Sequence, residues 1–465
     1  MKRTILDCYT DEPAGLGVPP FIGVWPRYVA GLHEDEPTYL TIDDIRLVRY
    51  VECVPNVVID PPYGRTHLEV LNHTRSYEQI RQVLENTDEL VIVVGVQTPG
   101  KYLSARPGTL HEVEKLLRSF EEGRQATEDG AAPRSYRKVL TGPVLIGGTQ
   151  ARGGARPQVA DAEYFDELRP FTFDTYDQLQ PLALKGASFI RQMQRPANRI
   201  VEIETGRGCP RERGCSFCTE PIKNKVQWRR PELVVEEAKA LMGFGAKAFR
   251  LGKQSCIYSY EGGDHAKLEA MLSGLAAMRP AVLHIDNANP QMIDEKRTEL
   301  FVKYLTPGST AAMGIESFDS RVTAANNLNC PYDLAFEAIR TVNRIGGFRG
   351  ENGCHALLPG INILLGLAAE TPETLDKNFA ALKRILDEGL LIRRINIRRV
   401  VPFPGTPLYQ QVGRKFLRKN MRYYVDWIEK VRQEIDIPMG KSLCSIGTVL
   451  KDLVSEVHNG HMTFL

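Results

Sequence analysis

The sequence predicts an α/β protein: a doubly wound, Rossmann-like parallel sheet at the N-terminus, then a partial (β/α)6 barrel and a short C-terminal region. Short apolar strands alternate with amphipathic helices over most of the chain, an order that places helices on the faces of parallel sheets. The alternation comes in two series, one ending near residue 150 and one starting at Ile200. Three cysteines lie within ten residues, directly after the first strand of the second series. That position marks where chemistry is expected, because such folds gather functional groups at the C-terminal ends of their strands.

In the first series, Thr4–Tyr9 and Thr38–Ile42 have strand patterns. Glu89–Gly95 is a continuous apolar run, as a strand covered on both faces requires. Leu110–Glu121 has helical spacing, with Val113, Leu116, Leu117 and Phe120 on one face. Gly123–Arg137 is expected as a polar loop, and Lys138–Gly148 as a strand ending in Gly-Gly. The first domain is placed at residues 1–155. Residues 156–197 show weak periodicity and are read as a connecting segment.

The second series has strands at Ile200–Glu204, Ala248–Leu251, Ala281–Ile285, Thr310–Ile315, Gly360–Gly366 and Ile392–Val401. Helices alternate with them at Glu232–Met242, His265–Met278, Glu295–Tyr304, Leu334–Ile345 and Pro372–Glu388. Six strand steps fall short of the eight in a complete barrel. This domain is placed at residues 198–410. Residues 411–465 form the C-terminal region, with a helix near Tyr423–Glu434 and short strands at Thr448–Val454 and Thr463–Leu465.

Composition is that of an ordinary globular protein of 465 residues, 43% hydrophobic and 25% charged. Fifty-nine basic and 57 acidic residues leave a net charge of +2, which calls for no nucleic-acid surface. No apolar run reaches 18 residues, so no spanning helix is expected. The N-terminus lacks a leader pattern, and a cytoplasmic protein is expected. Of nine cysteines, six are isolated and Cys209, Cys215 and Cys218 cluster. In a reducing compartment that pattern indicates metal binding, not a disulfide framework.

The cluster reads GCPRERGCSFC, a C-x5-C-x2-C spacing. Three thiolates can ligate three irons of a [4Fe–4S] cubane and leave the fourth iron open to a small molecule. The spacing alone leaves zinc open. However, zinc sites with C-x2-C usually bring a second Cys or His pair, and the nearest histidines in sequence are His111 and His265.

This loop resembles the cluster loop of the radical S-adenosylmethionine (SAM) superfamily, usually C-x3-C-x-aromatic-C. Phe217 holds the aromatic position, and two extra residues lengthen the first gap. Lys253 and Gln254 stand where the superfamily carries a Gly-Gly-Glu-like segment for the SAM amino group. Gly314-Ile315-Glu316-Ser317 resembles its GxES segment. Gly360-Ile361-Asn362 and Val401–Pro407 resemble the ends of its fifth and sixth strands. The resemblance covers about residues 198–410. It implies metal ligation by Cys209, Cys215 and Cys218, and SAM contacts from Phe217, Lys253, Gln254, Glu316, Ser317 and Asn362, with Glu316 at the ribose.

The N-terminal sheet is similar to the cobalamin-binding domain of cobalamin-dependent radical SAM methyltransferases. Three segments are expected to rim the corrinoid: Asp11-Glu12 with Gly17-Val18-Pro19, Thr98-Pro99-Gly100-Lys101-Tyr102, and Gly147-Gly148. The Asp-x-His-x-x-Gly cobalt-ligand motif is absent, so no histidine ligand to cobalt is expected. The implied cofactors are a [4Fe–4S] cluster, SAM and cobalamin. The implied activity is C-methylation of an sp3 carbon through a 5′-deoxyadenosyl radical and methylcobalamin. The chain looks most like an archaeal group that includes C-methylation of a glutamine in methyl-coenzyme M reductase. That likeness implies a protein substrate, its alpha subunit, together with an electron donor. The rivals are a radical SAM enzyme that modifies RNA and a non-enzymatic corrinoid- or metal-binding protein.

Overall fold

The structure is a computed structural model. It describes residues 1–9, 22–53, 73–95, 106–125, 136–145, 164–412, 420–451, 454–458 and 461–464. The chain divides into two compact units. One comprises Met1–Glu202, Glu236–Ala248 and Leu453–Leu465; the other comprises Ile203–Val235 and Phe249–Asp452.

The first unit holds β1 (Arg3–Asp7), β2 (Thr38–Thr41), β3 (Glu89–Val93), β4 (Arg137–Thr141) and β5 (Glu167–Leu168) in one sheet, ordered β2-β1-β3-β4-β5. All four pairings are parallel. This is a doubly wound order, with its switch point between β1 and β3. Every residue of β3 is buried, as its unbroken apolar run requires.

Helices α1 (Val24–Gly31), α2 (Ile42–Cys53), α3 (Tyr77–Asn86) and α4 (Leu110–Gln125) accompany the sheet. Val113, Leu117 and Phe120 of α4 enter a core with Leu6, Leu90 and Ile92. Each such side chain contributes about 1.5–3 kcal/mol on burial. Ser76 and Gln79 form a capping box that starts α3.

Two expectations are corrected here. β4 ends at Thr141, not Gly148, because Gly142 turns the chain at φ +102°. A Cβ there would lie 2.6 Å from the Val94 carbonyl oxygen. Pro143–Leu145 then forms a 3-10 turn. The segment read as a connection carries α5 (Tyr176–Gly186), started by a Thr175–Gln178 capping box. Helices α1 and α5 meet at glycines: a Cβ on Gly31 or Gly186 would collide with the Leu182 or Arg27 carbonyl. Pro181 within α5 and these contact glycines weaken the helical signal in the sequence.

The second series supplies β6 (Ile200–Glu204), β7 (Gly206–Arg207), β8 (Gln227–Trp228), β9 (Ala248–Gly252), β10 (Val282–Ile285), β11 (Asn287–Ala288), β12 (Ser309–Glu316), β13 (Leu357–Leu365) and β14 (Arg394–Arg399). Sheets ordered β10-β9-β6 and β11-β12-β13-β14 give six barrel positions, since only Asp286 separates β10 from β11. The β11–β12, β12–β13 and β13–β14 pairs are parallel. Helices α6 (Glu220–Lys223), α7 (Pro231–Gly243), α8 (His265–Ala277), α9 (Glu295–Tyr304), α10 (Ser320–Ala325), α11 (Tyr332–Gly346), α12 (Pro372–Asp387) and α13 (Pro407–Val412) complete the partial (β/α)6 barrel.

Aspartates start three of these helices: Asp264, Asp294 and Asp319 accept hydrogen bonds from backbone N–H groups of α8, α9 and α10. After residue 420 come α14 (Met421–Val431), a π turn at Arg432–Asp436 and α15 (Ile437–Leu443). The terminal strands, β15 (Val454–His458) and β16 (His461–Phe464), pair as an antiparallel hairpin. The strand expected from Thr448 therefore begins at Val454. No described helix is long and apolar enough to cross a membrane.

Candidate iron–sulfur and SAM site

The cysteine loop leaves the barrel at the end of β6. β7 and β8 pair antiparallel across its base, so the loop is an excursion closed at both ends. Gly208 allows the closure. Its φ is +82°, and a Cβ there would lie 2.6 Å from the Lys225 carbonyl oxygen. Its N–H donates to Glu220 Oε1 at 2.8 Å, and its carbonyl accepts from Ser255 Oγ at 2.9 Å.

Two asparagines at the end of α10 hold the middle of the loop. Ser216 donates its N–H to the Asn326 carbonyl at 2.9 Å and its hydroxyl to Asn326 Oδ1 at 2.8 Å. Asn326 Nδ2 donates to the Val322 and Ala368 carbonyls at 2.8 and 2.9 Å. Asn327 Nδ2 donates to the carbonyls of Arg213 and Gly214, both at 2.9 Å. From the other side, Leu408 N–H donates to the Ser216 carbonyl at 2.9 Å. Phe217 and Cys215 pack against Val322, Leu367, Val400 and Leu408. The aromatic before the last cysteine is thus a loop anchor.

Cys209, Cys215 and Cys218 are all half-buried and carry free thiols. Cys218 N–H donates to the Cys215 carbonyl at 3.1 Å. Arg211 bridges the loop, donating Nη1 to Cys215 Sγ at 3.1 Å and Nη2 to the Asn327 carbonyl at 2.7 Å. Burial pushes the Cys215 thiol up to about 11. Arg211 opposes the rise, and Glu316 and Cys209 add to it. Burial likewise takes Cys218 up to about 12, with Cys215, Glu220 and Cys209 adding. Cys218 thus feels both other cysteines, and Cys215 feels Cys209. Among the described residues no three His, Cys, Asp or Glu side chains stand in metal-ligating array, so the loop gathers the thiols without closing them on one point. The donor set fits an iron–sulfur cluster: soft sulfur ligands, mutually repelling as thiolates, that need a strong positive centre to ionise.

Glu316 ends β12 at φ +64°, after a register shift between Met313 and Glu316. Its side chain lies back over Gly314, where a Cβ would be 3.1 Å from Glu316 Oε1. Burial raises its carboxyl to about 8, and Arg398 opposes the rise. Lys253, also left-handed at φ +68°, has its ammonium drawn down to about 8 by burial, against the pull of Asp286. Gln254 is buried. Its Nε2 donates to the Leu251 carbonyl at 3.4 Å, and its Oε1 has no hydrogen-bond partner among the described residues. These three side chains present polar atoms at the carboxyl ends of β9 and β12.

Ser317 is placed differently. It is buried, its hydroxyl lies 3.3 Å from Asn378 Oδ1, and it accepts from Asp319 N–H at 3.2 Å. It therefore shapes the start of α10. Asn362 Oδ1 accepts from Asn396 Nδ2 at 2.9 Å.

The residues expected to rim a corrinoid, Asp11, Glu12, Gly17, Val18, Pro19, Thr98, Pro99, Gly100, Lys101, Tyr102, Gly147 and Gly148, lie outside the described residues. The strands before them, β1, β3 and β4, are neighbours in the sheet. Sequence reasoning missed Asn326, Asn327 and Arg211. Their partners are distant in sequence or are backbone carbonyls, which no local pattern reveals.

Residues 203–364 match the family model described as the Radical SAM superfamily. Over 98% of this chain and 84% of the relative, the sequence is 38% identical to the uncharacterized protein MJ0274 of Methanocaldococcus jannaschii. Among solved structures, the radical SAM methyltransferase TsrM from Kitasatospora setae, with cobalamin and a [4Fe-4S] cluster bound, is similar at a TM-score of 0.52 and 12% identity. The match covers 89% of this chain and 78% of that one. The cobalamin-dependent SAM radical enzyme OxsB, with aqua-cobalamin bound, is similar at a TM-score of 0.50 and 12% identity. That match covers 92% of this chain and 56% of OxsB.

Proposed function

We propose that this chain, which carries a radical SAM domain and belongs to one family with MJ0274 of Methanocaldococcus jannaschii, is a cobalamin-dependent radical SAM C-methyltransferase. The observation that carries this reading is the three-cysteine loop, pinned at the mouth of a six-strand barrel beside Glu316. A doubly wound sheet precedes that barrel in the chain. The two similar solved structures, whose names include cobalamin, support the corrinoid part.

When bound, the cluster supplies the electron that cleaves SAM, and the corrinoid supplies the methyl group. The chain's own residues bind and orient. Cys209, Cys215 and Cys218 would ligate three irons, leaving one iron open for the SAM amino acid end. Asn326 and Asn327 fix the loop backbone and Arg211 ties Cys215 to Asn327, so cluster binding has only to draw the three thiols together. Glu316 would accept from the ribose hydroxyls, while Lys253 and Gln254 would face the polar end of SAM. Leu364, Phe217 and Val400 belong to the apolar cluster that backs the cysteine loop.

The methyl acceptor is an sp3 carbon, with a glutamine of methyl-coenzyme M reductase as the specific substrate that the sequence resemblance suggests. Anaerobic incubation with SAM, cobalamin, a reductant and a glutamine peptide of that subunit tests it. The reading expects 5′-deoxyadenosine together with a methylated peptide. SAM cleavage without cobalamin binding would reduce it to a plain radical SAM enzyme.

A further inference from the structure

A polar track runs down one face of β13 and β14, away from the cysteine loop, from Asn362 toward Arg394. Leu364 packs in the same apolar cluster as Cys215 and Phe217, which fixes the face of β13 turned toward the loop. Residues two apart on a strand share a face, so Asn362 and Gly360 lie on it too. The register pairs Leu364 with Arg398, Asn362 with Asn396 and Gly360 with Arg394. On the opposite face Ile361, Ile363 and Ile395 are buried. The polar face is therefore the barrel interior.

The track ends in a convergence of charges. At Gly360 a Cβ would stand 2.8 Å from Thr310 Cγ2 and 3.4 Å from Arg394 Cγ. The missing side chain gives Arg394 room to cross the strand. Arg394 Nη2 comes within 3.9 Å of Asp286 Oδ1, and Arg250 Nη2 on β9 within 3.8 Å of Asp286 Oδ2. Two guanidiniums from two strands thus flank one carboxylate. None of the three is sealed, since side-chain exposure is 27% for Arg394, 10% for Arg250 and 16% for Asp286.

The local field is cationic. Burial lowers the Arg394 guanidinium to about 10; Asp286 supports its charge, while Arg250, Arg393 and Arg398 oppose it. Burial also takes His284 down to about 4, with Arg393, Arg250 and Arg394 lowering it further against a backbone hydrogen bond at Pro307. Partly buried cations close together repel one another, and an arriving anion relieves that repulsion.

We propose that Arg394 and Arg250 anchor a carboxylate of the substrate, carried on the same molecule as the carbon that is methylated. This assignment rests on the radical SAM reading of the barrel mouth. Planar guanidinium forks match a planar two-oxygen anion, and Asp286 stands 3.8 and 3.9 Å from the two forks, beyond hydrogen-bond distance. Arg394 lies four residues below Arg398, roughly 13 Å along the strand. The substrate is therefore extended, with its acidic end deep in the barrel and its reacting carbon near the mouth.

Calorimetric titration of the whole protein with glutarate, at ionic strength held constant with chloride, tests the anchor. Inorganic phosphate provides the second arm. Glutarate binding is expected, weakened about 10- to 100-fold in Arg394→Gln and Arg250→Gln, the loss of one charge-assisted contact. Should either variant fail to fold, Arg394→Lys keeps the charge without the fork, and a loss of about tenfold is expected. No glutarate binding by the wild-type protein, equal binding by Arg394→Gln or Arg394→Lys, or a clear preference for phosphate overturns the proposal. Iron content and SAM cleavage are read separately. A chain that cleaves SAM but ignores glutarate overturns this inference alone. A chain that binds glutarate but holds no iron overturns the radical SAM reading alone.

Discussion

Ser216, the residue between Cys215 and Phe217, is tied to Asn326 twice, through N–H to carbonyl at 2.9 Å and hydroxyl to Oδ1 at 2.8 Å. Asn326 is buried and also donates to the Val322 and Ala368 carbonyls. Asn326→Ala therefore leaves several buried polar groups without partners, at a cost of about 2–4 kcal/mol. Urea melts should show that loss, and the iron retained after anaerobic reconstitution should fall with it. A variant with wild-type iron and stability would show that Asn326 does not hold the loop.

Glu316 is the candidate for the SAM ribose. Glu316→Gln keeps the shape and removes the ionisable carboxyl, so the SAM dissociation constant should rise about tenfold above pH 8, where the wild-type group is ionised, and change less below it. Equilibrium dialysis of the reconstituted protein measures this directly. An unchanged constant would remove Glu316 from the SAM site.

Asp319 starts α10 and is buried. Burial works to raise its carboxyl, but hydrogen bonds from Arg321, Lys377 and Thr374 and the Arg321 N–H hold it well below the ordinary 3.8. A depressed carboxyl contributes stability that is fully present above the unfolded value and lost as pH falls through the folded one. Asp319→Ala should therefore cost about 1–2 kcal/mol at neutral pH. The gap to wild type should narrow as pH falls below 3.8, in melts recorded from pH 7 down to the acid limit.

Arg27 and Glu237 form an ion pair, and both side chains are fully buried. Arg27 Nε also donates to the Gly23 carbonyl at 3.2 Å. Arg27→Ala leaves Glu237 charged and buried, and should cost about 3–5 kcal/mol. Arg27→Met combined with Glu237→Leu should recover much of that loss, because apolar replacement of both partners removes the uncompensated charge. Chemical denaturation of the single and double variants checks the sign of the coupling.

Much of this architecture was legible in the sequence because it depends on local patterns. The continuous apolar run of β3 and the 3.6-residue periodicity of α4 carried the first sheet, and the helix at Glu295–Tyr304 was placed to the residue. The three cysteines were legible as spacing. The asparagines that pin them were not, because Asn326 meets Ser216 from 110 residues away. The Arg394–Asp286–Arg250 convergence was hidden for the same reason: it arises across the barrel interior, where side chains from β9 and β14 meet Asp286 between β10 and β11. Helix α5 was missed because Pro181 and the contact glycine Gly186 imitate loop composition while serving a close helix crossing.

The central claim is that Cys209, Cys215 and Cys218 hold an iron–sulfur cluster. Iron, sulfide and zinc analysis of anaerobically reconstituted protein, with its visible absorption spectrum, tests it most directly. The account predicts about four irons and about four sulfides per chain, with broad blue-edge absorption. Both should be lost in the Cys209→Ala, Cys215→Ala, Cys218→Ala triple variant while the helical circular dichroism is kept. Zinc in place of iron, or iron retained by the triple variant, would contradict it.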